Sequence, residues 1–254
     1  LKVHRDGGFQ TAPEGFNGGF TESVFWFQFD VHLRSEQQDS GWQELYLELE
    51  YPHIDKLRLY HLQDGRIIHE LGLGDQIAFS ERPIPTHEFV VPVRLPVNRT
   101  SSFFMRVESA NLMQMPLALW HKDRFLQVYG DLNLVNGVFF GLVLIMALYN
   151  LFIGIMIRDK TFFLYFCYFA AFGLFVFSYF GFGFKFLWPG TPWLNDFSLP
   201  VLAFVMQGFG LLFSRAFLDT QAQHPGVNRV LLGAVLFCVL MLPLCFLFSY
   251  RVMI

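Results

Sequence analysis

Four apolar stretches of membrane-spanning length lie in the second half of this 254-residue chain, at about 135–157, 162–184, 197–217 and 230–248. A helix needs about 20 apolar residues to cross a bilayer. Each run meets that length, and all are too long and too uniformly apolar to be strands. The second has no charged residue between Lys160 and Lys185.

Composition divides the chain in the same place. Charged residues are 15% of the total and hydrophobic ones 54%, where soluble domains carry about a quarter charged. Nearly all the charge precedes Asp131. The chain therefore reads as two regions in different solvents, a water-exposed one followed by a helical bundle in the lipid bilayer. A net charge of -3 and the lack of a basic, aromatic-interleaved patch point away from nucleic acid. Cys167, Cys238 and Cys245 all fall in the apolar half, without CxxC or Cys/His spacing. They read as small packing residues, and no cofactor or metal is expected.

The loops set an expected orientation. Arg158 and Lys160 flank Asp159 in the first, and Arg215 and Arg229 bracket the third. Basic loops favour the cytoplasmic side, which places the first region outside. The loop from Lys185 to Asn195 has one lysine, with Trp188 and Trp193 suited to an interface. The chain opens at Leu1 with no charged n-region or apolar h-region, and its last residues, Tyr250 to Ile254, follow an apolar run directly. It reads as a piece of a longer protein, with a signal peptide removed or an interior start, and with more helices to follow. Polar groups at membrane depth are Asn136, Asn150, Ser178 and Gln207. These neutral groups are expected to bond between helices. The lack of a mid-span Asp, Glu or His argues against a proton relay.

From Thr21 to Leu119 the pattern has period two. Apolar residues alternate with Gln28, Asp30 and His32 across residues 24–33, and residues 44–50 repeat the pattern. Lys56 to Tyr60 leads through Gln63-Asp64-Gly65, a hairpin signal, into Ile67-Ile68. His87 to Leu95, Ser102 to Glu108 and Leu117 to Trp120 are further strands. Such strands between Gly, Pro, Asn and Asp clusters predict an all-β, jelly-roll-like sandwich over 1–122. A short, stiff connection over 123–134 then leads to an α-helical transmembrane bundle over 135–254.

The ordered motifs carry a resemblance. Phe25-Trp26-Phe27-Gln28-Phe29, residues 50–57, residues 79–85 and Pro116-Leu117-Ala118-Leu119-Trp120 resemble the extracellular sensor of bacterial seven-transmembrane receptors with diverse intracellular signalling modules. Ala147-Leu148-Tyr149-Asn150-Leu151-Phe152 before Arg158-Asp159-Lys160 is similar to that family's first span and loop. Phe186-Leu187-Trp188-Pro189 and residues 215–220 are similar to its later loops. The resemblance covers nearly the whole chain. It implies a carbohydrate-binding-like sensor, seven helices and a cytoplasmic histidine kinase or diguanylate cyclase, of which this chain carries the sensor and four spans. The chain itself is then not an enzyme, and no catalytic residue is expected in it.

A sugar or small polar ligand would need an aromatic platform beside hydrogen-bonding groups on the water-facing side of the strands. By alternation Trp26, Gln28 and Asp30 share a face of one strand, Arg58 and Tyr60 of another, and Arg106 and Glu108 of a third. The ordinary alternative is a solvated strand face with cross-strand ion pairs. His53, His61, His69 and His87 have no compact ligand spacing, and Asn98-Arg99-Thr100 reads as a turn rather than a glycosylation site. Three functions are weighed: a sensory receptor of the bacterial inner membrane, a membrane-anchored protein docking a partner receptor or a second copy, and a transporter.

Overall fold

The computed structural model describes residues 2–5, 8–11, 16–20, 23–34, 41–109 and 112–247; Thr21, Phe248 and the segment 250–254 lie outside the described residues. Two compact units divide the chain, Leu1–Tyr129 with Phe184–Pro192, and Gly130–Gly183 with Trp193–Ile254.

The first unit is an antiparallel β-sandwich. Its strands are β1 (Lys2–Arg5), β2 (Gly8–Thr11), β3 (Asn17–Phe20), β4 (Phe25–His32), β5 (Trp42–Leu49), β6 (Lys56–Gln63), β7 (Arg66–Leu73), β8 (Phe89–Pro96), β9 (Thr100–Glu108), β10 (Leu112–Gln114) and β11 (Leu117–His121). One sheet has six strands in the order β2-β1-β4-β9-β6-β7, another has three in the order β11-β5-β8, and β10 pairs with β3. Alternation decides what lies inside. Phe27, Leu57, Leu59, Phe103, Met105 and Val107 of the larger sheet share one core with Leu45, Leu47, Leu49, Val91, Val93 and Leu95 of the smaller. Burial of each such side chain is worth about 1.5–3 kcal/mol, so the unit holds without a cross-link.

Local turn chemistry follows the sequence. Asp64 (φ 50) and Gly65 (φ 75) form the two-residue turn joining β6 to β7, the left-handed pair that an Asp-Gly hairpin requires. Asn98 (φ 59) turns the chain between β8 and β9. The short strands β1, β2, β3 and β10 have too few residues for a two-residue period to show, and three of them precede the alternating region.

The helices are α1 (Lys122–Ile157), α2 (Lys160–Tyr179), α3 (Phe182–Phe186), α4 (Trp193–Phe217), α5 (Thr220–Gln223) and α6 (Pro225–Leu247). Four of these, α1, α2, α4 and α6, are long and apolar enough to cross a membrane. Their bounds differ from the hydropathy reading at all four, and α6 begins at Pro225 rather than at 230. Helix α1 starts directly after β11, so residues 123–134 are its first turns rather than a separate connection. Helix α2 stops at Tyr179, because Gly181 (φ 77) turns the chain before α3. Helix α4 begins at Trp193, ahead of its most apolar part.

In the second unit, α2 packs on α4 and α4 on α6. Small residues set the closest approaches: a Cβ on Gly173 would sit 2.8 Å from Val143, and one on Gly210 would sit 3.2 Å from the Tyr168 ring. Phe140 meets Phe177 edge to face at 5.1 Å. The bonding expected between helices is replaced at two positions. Asn150 donates to the carbonyl of Met146 and Ser178 to that of Leu174, each at 2.8 Å and within its own helix. Arg215 ties the end of α4 to the start of α6, donating from Nε to Asn228 Oδ1 at 2.5 Å, and to α5, donating from Nη2 to Gln221 at 3.1 Å.

One glycine is demanded by both space and torsion. Gly74 (φ 153) lies so close to the 55–56 backbone that a Cβ would come within 2.1 Å of the Asp55 carbonyl oxygen. The amide of Asp75 meanwhile donates to the Ile54 carbonyl at 2.8 Å. Overpacking costs about 1–3 kcal/mol and occasionally more. Gly74→Ala is expected to fall in the upper part of that range by urea denaturation, whereas Gly72→Ala, with open space around it, should cost under half as much.

Candidate functional site

Burying the inner face of β4, β9 and β6 sends the intervening residues of all three strands to the outer face of the six-stranded sheet. The register places them side by side. Trp26 pairs with Arg106 and Arg106 with Arg58; one row on, Gln28 pairs with Phe104 and Phe104 with Tyr60. Asp30 lies opposite Ser102, and Glu108 opposite Lys56. All seven residues singled out from the sequence, Trp26, Gln28, Asp30, Arg58, Tyr60, Arg106 and Glu108, therefore share one face of three adjacent strands.

Aromatic contacts give this face its relief. Trp26 and Tyr60 are two strands apart, about 10 Å in a flat sheet. Their rings nonetheless lie near-parallel, at 18°, with centroids 6.0 Å apart. Together they make one half-buried ledge across β9. From β2, three strands away from β9, Phe9 reaches Phe104 edge to face at 5.9 Å. The β1–β2 hairpin thus curls over this face and walls one side of it.

The polar groups differ in how they are held. Arg106 donates to Glu108 in an ion pair. Ser102 donates to Asp30 at 2.6 Å. Arg58 is exposed and lies directly opposite Arg106, with no ion-pair partner among the described residues. Beyond it on β7 stands Gly72, a position with open space around it.

A second polar cluster lies on the outer face of the three-stranded sheet, where the first turns of α1 cover it. Tyr46 meets Phe125 edge to face, and Phe125 stacks on Tyr129. Beneath them the Trp120 indole donates to Glu48 at 2.6 Å, and Glu88 shares a side-chain hydrogen bond with Glu48. Burial, and then the neighbouring Glu48 charge, push Glu88 up to about 8, so it keeps its proton at neutral pH. His87 Nδ1 is 3.2 Å from the Tyr129 hydroxyl. Burial, reinforced by the cations Lys185 and Arg82, brings His87 down to about 4. Arg82 sits over the rings of Phe89, Phe79 and Phe184 at 4.3, 4.8 and 5.4 Å. It donates to the carbonyls of Thr86, His87 and Glu88, and burial lowers it to about 10.

The four histidines go to separate tasks. His61 is buried and stacks on Phe103 at 4.4 Å, with His69 opposite it on β7. His53 meets Tyr51 edge to face, and His87 serves the cluster beneath α1.

Two family models match the chain: 7TMR-DISM extracellular 2 over residues 2–121, and 7TM diverse intracellular signalling over residues 132–254. The chain belongs to the 7TMR-DISM receptors. No curated protein matches it. In a 7TMR-DISM receptor the sandwich is the extracellular domain and the apolar helices belong to its membrane-spanning region. In the loop after α1 the Asp159 carboxylate caps α2 by accepting the Thr161 amide at 2.8 Å.

The receptor's second cluster escaped the sequence reading for a definite reason. Glu48 is a polar position of the alternating strand β5 and Glu88 directly precedes β8, positions that ordinarily meet water, and their burial comes from packing that no local pattern displays. An unfolded chain releases the Glu88 proton near 4.5, whereas the folded one holds it to about 8, so stability falls as pH rises between those values. His87 acts oppositely between 4 and 6.5, which leaves Glu88 acting without that opposition above 6.5. Thermal unfolding of the whole chain in detergent should therefore show Tm dropping from pH 6.5 to 8.5, and Glu88→Gln should hold it level. A native profile already flat over that range would refute this assignment.

Proposed function

We propose that this chain is the sensing part of a bacterial inner-membrane receptor, with a carbohydrate or small polar ligand held on the outer face of the six-stranded sheet. Residues 1–122 form the sensor and 135–254 the first part of the membrane region. The observation that carries the reading is the convergence of Trp26, Tyr60, Arg58, Arg106, Glu108, Gln28 and Asp30 on one face under the β1–β2 hairpin. Aromatic surface beside a few convergent polar groups is what a sugar ring requires.

A ligand can shift a receptor only by binding one of two states better than the other. The chain offers a direct covalent route for such a bias, because the last strand of the sandwich runs into α1 without an intervening loop. The output served by this route is a cytoplasmic module, a histidine kinase or diguanylate cyclase, elsewhere in the protein. The chain itself supplies sensing and relay rather than catalysis.

The test is binding of a glycan panel to the whole chain in lipid nanodiscs, followed by titration of any hit. Trp26→Ala and Tyr60→Ala should each weaken binding by tenfold or more, a loss of at least about 1.4 kcal/mol, while Tm moves little. Binding that survives both substitutions unchanged would place the ligand elsewhere.

A further inference from the structure

The charge arrangement on this face selects among sugars. Arg58 and Arg106 are directly opposite each other on β6 and β9, and like charges in that relation repel. Glu108 neutralises one of them by pairing with Arg106. The remaining acidic groups of the face are placed or engaged elsewhere: Asp30 accepts from Ser102 at the far end, and Glu70 lies a row away, opposite Tyr60. Lys56, opposite Glu108, adds a further positive group beside the pair. Arg58 is thus an exposed guanidinium next to an aromatic ledge, with open space at Gly72 on its other side.

From this arrangement we infer that the sheet face takes an acidic sugar, its ring against the Trp26–Tyr60 ledge and its carboxylate on the guanidinium of Arg58. The inference rests on the proposal that this face is the ligand site, and deepens it. A planar guanidinium matches a carboxylate through two parallel N–H···O bonds, a geometry lysine cannot reproduce. An incoming carboxylate gives Arg58 the counter-charge that Arg106 already has in Glu108. Arg106, its charge met by Glu108, borders the ledge and leaves Arg58 as the guanidinium open to the ligand.

The experiment compares one sugar skeleton with and without its charge. The probes are the trimer of galacturonate and its fully methyl-esterified form, titrated calorimetrically into the whole chain in nanodiscs at low salt. The native chain should bind the acid at least about tenfold more tightly than the ester, the range expected for a hydrogen bond to a charged group. Arg58→Gln should erase that preference, bringing the affinity for the acid down to that of the ester measured on the same variant. Arg58→Lys should restore only part of it, and added salt should shrink it. Equal binding of acid and ester by the native chain, with both lost in Trp26→Ala, would overturn the acidic preference and leave the sugar face standing. A preference that survives Arg58→Gln would overturn the role given to Arg58. If neither trimer binds, the acidic ligand is overturned; another glycan whose binding depends on Trp26 would then show that the sheet face itself still serves.

Discussion

The two-residue alternation of β4, β9 and β6 is the constraint from which the rest of the extracellular unit follows. Phe27, Phe103, Met105, Val107, Leu57 and Leu59 must leave water, and a strand has only two sides. Their neighbours are thereby committed to the outer face before any ligand is considered. The antiparallel register then turns separate alternations into rows, so that Trp26, Arg106 and Arg58 stand in line. A slip of one residue would exchange the two faces and bury both guanidiniums. The core therefore stabilises the sandwich and also aligns the groups on its surface.

The smaller sheet obeys the same rule with a different outcome. Its outward Tyr46 meets Phe125 of α1 edge to face, and outward Glu48, with Glu88 just ahead of β8, is withdrawn from water. Arg82 anchors the rim of this buried region. It is held by three carbonyls and by aromatic faces from both the strand segments and the stretch beginning at Phe184. Carboxyls pushed up and a histidine pushed down are what desolvation imposes on ionisable groups withdrawn from water.

Much of this was legible in the sequence, and the gaps have physical causes. The four apolar helices, the alternating strands, the Asp64-Gly65 turn and the face that each of the seven residues takes within its own strand follow from short-range patterns, whereas the union of those three faces into one depends on the register. Strands of three or four residues, such as β1 and β10, are too brief to display a period. The curl of the first hairpin that brings Phe9 to Phe104 is a property of sheet twist and long-range pairing. Which polar face would be covered depends on where α1 lies, and no local pattern in Glu48 or Glu88 encodes that. The end of α2 was misjudged because Phe180 to Phe184 is as apolar as the helix before it, and only the left-handed torsion at Gly181 marks the break.

The hydrogen bonds of Asn150 and Ser178, like that of Ser214 to Gly210, close onto carbonyls of their own helices. None of these three donors therefore has to let go when one helix slides past another. At the contacts of α2 described above, neighbours meet through glycine notches and phenylalanine and tyrosine rings, surfaces that trade one set of weak dispersion contacts for another. Such an interface has little friction. Small changes of helix position cost little in lipid, and a modest bias arriving along α1 need not break a bond at these positions to be felt further along the bundle.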